Sequence, residues 1–126
     1  MLSQIDERKP MLIPQTFKDF LFAEGRPVRD PKAGGSEIAL PLRRASSAID
    51  LLLGSRIAVL GGDFVEPQGA QFKYEYVNWA CNKGKGEHPI EFTRRSHQVA
   101  HETIAKYGKE YPHWWVVLVC SELGLT

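Results

Sequence analysis

Long hydrophobic runs are missing from this chain of 126 residues. The longest, Trp114 to Cys120, is far too short to cross a bilayer. The charged start MLSQIDERKP has no apolar segment of the kind that directs secretion. Cysteine is scarce: Cys81 and Cys120 make at most one bridge, and their spacing fits no metal or redox motif. They read as reduced thiols packed as small hydrophobes, which points to the cytoplasm. An excess of charge of one sign is also missing. Sixteen Lys+Arg against fifteen Asp+Glu leave a net charge of +1, which removes the strongest argument for a nucleic-acid or anionic-membrane partner. There is no internal repeat and no low-complexity stretch. What is present, 43% hydrophobic and 25% charged residues, is ordinary globular composition and excludes disordered, collagen-like or fibrous chains. The length fits a single domain, 1–126.

Residues 1–40 carry Pro10, Pro14, Pro27 and Pro31 with Gly25, Gly34 and Gly35, and form a less regular N-terminal extension to a core over 41–120. One short helix fits there, capped by Thr16, with Phe17, Phe20 and Leu21 as its apolar stripe. Ser36 to Leu40 is either an added strand or a connector. Pro41 then opens a helix that Gly54 ends, and Leu42, Ala45, Ile49, Leu52 and Leu53 recur at helical spacing. Ile57 to Leu60 reads as a buried strand, continued by Asp63 to Val65 past a bulge at Gly61-Gly62. Glu66-Pro67-Gln68-Gly69 fits a type I turn.

Gln71 to Trp79 alternates, with Phe72, Tyr74 and Tyr76 toward the core and Lys73, Glu75, Val77 and Trp79 on the other face. After a loop at 82–87, Pro89 starts a long helix that Gly108 closes. Its expected stripe is Phe92, Ser96, Val99, Ala100, Thr103, Ile104 and Tyr107. Trp114 to Cys120 is a strand covered on both faces. The expected fold is α+β in two layers: a small sheet of about three strands with helices on one face. Its first strand lies between the other two and antiparallel to both.

Candidate chemistry is sparse. His97 and His101, four apart on the long helix, could share a metal in a hydrolase. No glutamate follows His97, however, and no third ligand among His88, His113 or Glu91 stands out, so a solvated face is the better reading. Leu60-Gly61-Gly62-Asp63 precedes a turn and a strand rather than a helix, which excludes a phosphate loop. Ser46, Ser47, Ser55 and Ser96 sit in no nucleophile elbow, and nothing places a base beside Cys81. The basic pairs Arg43-Arg44 and Arg94-Arg95, with Lys83 and Lys85, would make a weak nucleic-acid module. Residues 63–126 nevertheless hold seven Lys/Arg against eight Asp/Glu, the composition of a solvated surface.

The hairpin is more informative. Leu60-Gly61-Gly62-Asp63, Tyr74-Glu75-Tyr76-Val77-Asn78-Trp79-Ala80-Cys81, the helix Ala45 to Leu53, the helix bearing Ser96, Ala100, Ile104 and Tyr107, and the strand Val116 to Val119 resemble the bacterial immunity protein 40 family. The resemblance spans about residues 45–120. It implies a small cytoplasmic protein without catalysis or cofactor, encoded beside a polymorphic toxin, which binds the cognate toxin domain and occludes its active site. Asp63, Glu66, Glu75, Asn78 and Trp79 cluster on the hairpin and form the candidate partner-binding patch, with acids suited to a basic toxin site. Trp79 has two readings: an exposed anchor, or a core residue under a covering element, as the high average burial of tryptophan favours.

Overall fold

The computed structural model describes residues 13–29 and 37–121. Among them the elements run α1 (Gln15–Glu24), β1 (Arg26–Pro27), β2 (Ile38–Pro41), α2 (Leu42–Asp50), β3 (Val59–Gln68), β4 (Gln71–Ala80), α3 (Pro89–Glu110) and β5 (Trp115–Cys120). The strands form one antiparallel sheet in the order β1-β2-β5-β3-β4. As expected, β3 lies between β4 and β5 and runs against both. The expected count of about three strands falls short by two. β1 and β2 come from the N-terminal region, and at two and four residues they are too short to show an alternating pattern.

The three helices cover one face of the sheet. Their buried stripes meet Leu40, Val59, Phe64 and Val116 in the main core, through Phe17 of α1, Leu42, Ala45, Ala48 and Ile49 of α2, and Ala100 and Ile104 of α3. α1 starts at Gln15 after Pro14, with no side-chain cap, so Thr16 sits inside the first turn rather than capping it. α3 is opened by Pro89, and the His88 ring accepts from the Ile90 N–H at 3.1 Å. It runs through Gly108 to Glu110: a single glycine weakens a helix but does not end one that is packed along its length.

α3 also fixes how the chain enters β3. Ser96 Oγ accepts from the Val59 N–H at 3.0 Å and donates to the Thr93 carbonyl at 2.8 Å. His97 Nε2–H donates to the Ile57 carbonyl at 2.8 Å. Ser96 is fully buried, so Ser96→Ala leaves a buried amide unpaired. We expect a loss of about 1–3 kcal/mol, read by urea denaturation; a loss near zero would contradict this role.

The β3–β4 ladder extends to Gln68↔Gln71, so the chain reverses at Gly69-Ala70 and not in a type I turn over 66–69. Gly69 has φ +64° and Ala70 does not share the positive sign. That is the pattern of a II′ turn, whose twist suits a hairpin. Pro67 is tolerated because β5 pairs with β3 only as far as Val65, and no ladder bond is lost there.

Candidate functional site

The two glycines of β3 exist to admit a tryptophan. Gly62 is the ladder partner of Trp79, and a Cβ at Gly62 would lie 2.5 Å from Cζ3 and Cη2 of the indole. A side chain at Gly61 would run into the Trp79 carbonyl. The ring therefore lies against bare β3 backbone, with its centroid 5.6 Å from that of Phe64. The expected bulge is present one residue earlier, as Leu60 is extra between Val59↔Cys120 and Gly61↔Val119. Trp79 and Val77 pack on the helix side, whereas Phe72 and Tyr74 line the opposite face with Val65, Val117 and Trp115. The face expected for Val77 and Trp79 is thus corrected, while of the two readings of Trp79 the packed one holds. Alternation separates two faces but does not say which one the helices cover, and here both are apolar.

The patch residues fall into two groups. Asp63 and Asn78 are direct partners on the face away from the helices, in a row with Val117 and Ala39. Beside them Tyr74 donates its hydroxyl to Glu37 at 2.8 Å. Burial, then the Glu37 charge, raises the Asp63 carboxyl above its ordinary value. Burial and the bond to Glu37 push the Tyr74 phenol up to about 12. Arg26 caps the far end of this face, its guanidinium 4.6 Å from the Phe72 centroid and 5.1 Å from that of Trp115.

Glu66 and Glu75 lie on the helix side, toward the edge. Lys73 approaches Glu66 at 3.9 Å and Glu75 at 4.0 Å, and His113 Nε2 lies 3.3 Å from Glu66. The two carboxyls meet. A hydrogen bond from Glu75 to Glu66, with burial, raises the Glu75 carboxyl, and the same bond lowers Glu66. Trp79 lies beneath the hairpin, half-buried. β4 is one of the two outer strands of the sheet and carries a second irregularity that sequence reading missed. Between Asp63↔Asn78 and Val65↔Tyr74, Phe64 alone of β3 faces Glu75, Tyr76 and Val77. Tyr76 there takes φ +59° and is 92% exposed, not core-facing as expected. A left-handed tyrosine costs about 1–3 kcal/mol of strain.

The competing chemistries lose their geometry. His97 is buried and committed to the Ile57 carbonyl, and His101 is half-buried, so the solvated-face reading is corrected as well. No group of three or more His, Cys, Asp or Glu among the described residues is arranged to hold a metal ion. His101 instead links Ser46 Oγ at 3.0 Å to Asp50 Oδ1 at 3.2 Å. This is a Ser–His–Asp contact, but Ser46 sits mid-helix, where the amides are used by the helix and none is left to bind an oxyanion. The trio ties α2 to α3.

In each basic pair one arginine is held by an acid: Arg44 bonds Glu24 at 3.1 Å, and Arg95 bonds Glu87 at 2.8 Å and the Asn82 carbonyl at 2.7 Å. Arg95, then the Gly84 N–H, draws the Glu87 carboxyl down to about 2. A lowered folded value stabilises above the unfolded carboxylate range and is lost as pH falls through the folded one. The stability difference between wild type and Glu87→Gln should therefore shrink between about pH 5 and about pH 2 in thermal melts. A constant difference would contradict it.

The family model for Immunity protein 40 matches residues 31–120. The chain belongs to this family. The immunity protein 40 match begins upstream of the resemblance at residue 45 and takes in β2, both glycines of β3, Trp79, all of α3 and β5. No curated protein and no solved structure shows a significant match to the chain. No helix among the described residues is long and apolar enough to cross a membrane.

Proposed function

We propose that this immunity-family protein binds the toxin domain of a bacterial polymorphic toxin system in the cytoplasm and neutralises it by covering its active site, without catalysis or a cofactor. The observation that carries the reading is the family match over 31–120, and the hairpin supplies the surface. The outer edge of β4 pairs with no strand among the described residues, and β3–β4 carry Asp63, Glu66 and Glu75 against Lys73 alone. The hairpin is negative in a chain whose net charge is +1.

Asp63 and Asn78 present one side of the patch, and Glu66 and Glu75 the other. Trp79 contributes from beneath, by holding β4 against Gly62. Occlusion requires about 800 Å² per partner, about a tenth of the 8153 Å² surface, which one hairpin and its flanks can supply. The acids would speed encounter with a basic toxin site and fix its orientation.

The test is growth rescue. The C-terminal domain encoded by the gene immediately upstream is expressed with and without this chain. Killing that the chain reverses supports the reading; killing that it leaves untouched rejects that pairing.

A further inference from the structure

We propose that Tyr76 is the anchor of the toxin interface, and that the irregularity in β4 serves to aim it. The proposal rests on the immunity reading above and names the contact that reading leaves open. Three independent features meet at this residue. Its backbone is left-handed, with φ +59°, the only such non-glycine among the described residues. Its side chain is 92% exposed, more than any other large hydrophobic described. It sits at the middle of the outer strand β4, between patch residues Glu75 and Asn78.

The irregularity is not needed to build the core. It adds two residues to β4 against β3, an even number, so the alternation of faces is the same on either side of it. Phe72, Tyr74, Asn78 and Trp79 would keep their faces on a regular strand. What the extra residues change is Tyr76, which regular alternation would lay beside Tyr74 and Asn78 and which instead stands out into solvent. Bulges at sheet edges re-aim side chains in this way, and backbone strain concentrates at functional positions. Tyrosine suits the task, since it offers a large contact area with few rotatable bonds to freeze.

The occupant is the toxin domain, and the charge of the hairpin constrains its chemistry. Around Tyr76 the hairpin carries Asp63, Glu66 and Glu75 against Lys73. The complementary surface is a basic one with a slot deep enough for a phenol ring. A second copy of this chain is a poorer fit, because two negative hairpins would face each other and the looped-out residues interrupt the edge along which strands would pair.

The test uses the full chain, the toxin domain encoded by the adjacent gene, and the variants Tyr76→Gly and Tyr76→Asn. Glycine and asparagine both accept a left-handed backbone, so neither variant threatens folding. Melting temperature should stay level or rise in both, while affinity measured by titration calorimetry falls by about 30-fold or more, the signature of an interface hot spot. Tyr76→Phe keeps the ring and should lose much less. Wild type binding tightly with Tyr76→Gly within about threefold of it would overturn the anchor and leave the immunity reading standing, with the bulge reduced to edge protection. Wild type failing to bind would remove both. A self-associated wild type that Tyr76→Gly dissociates would assign the residue to contacts between copies and overturn the proposal.

Discussion

Phe64→Ala is expected to lower the unfolding free energy by about 3–5 kcal/mol, the largest single-site loss in the chain. Phe64 is fully buried on β3, between β5 and β4. Its ring centroid lies 5.6 Å from Trp79, 4.9 Å from Tyr107 and 5.6 Å from Trp114, so one side chain joins β4, α3 and the start of β5. Tyr111 extends the group by stacking on Trp114 at 4.0 Å. Alanine leaves a ring-sized void among large, stiff neighbours that cannot collapse into it, which places the cost near the top of the usual range. Small domains hold about 5–15 kcal/mol in total, so the variant should be marginal at 37 °C. Urea denaturation at constant slope measures this, and a loss below about 1.5 kcal/mol would contradict the central place given to Phe64.

The second large effect is on binding. Reversing both Asp63 and Glu75 to lysine is expected to weaken toxin affinity by about 30-fold or more while the chain stays folded. Burial, then Glu37, raises the Asp63 carboxyl, and Glu66, then burial, raises that of Glu75, so neither negative charge is what secures the fold. At the interface a lysine would face the basic surface it is meant to avoid, slowing encounter and leaving unmatched charge. Wild-type affinity should also fall as salt rises, and the double variant's should fall less. Unchanged affinity in the double variant would show that the acids of the hairpin are not the contact.

The helices were legible because their period is strong. Leu42, Ala45 and Ile49 marked α2, and Phe92, Ser96, Ala100 and Ile104 marked α3. The antiparallel placement of β3 between two strands followed from the lengths of the connections. β1 and β2 were not legible as a pair: their pairing is decided by long-range contact with β5, and no pattern of two to four residues reports it. His97 misled because it falls one residue from the predicted stripe, at a position where only the distant Ile57 carbonyl makes burial affordable.

The site was half legible. Leu60-Gly61-Gly62-Asp63 and Asn78-Trp79 drew attention to the right hairpin, but their physical link appears only in three dimensions. The glycines make room for the indole, and this takes Trp79 from the surface into the core. The two extra residues in β4 left no trace in the sequence because an even insertion preserves alternation, so Tyr76 read as the third aromatic of one face.

The claim that the β3–β4 hairpin carries toxin binding is tested most directly by hydrogen–deuterium exchange of the chain alone and with a saturating amount of the toxin domain encoded beside it. Slowed exchange concentrated in β4 and the neighbouring end of β3, with the outer surfaces of α2 and α3 unchanged, is the result expected. Protection on the α2–α3 surface with β4 unaffected would contradict the account.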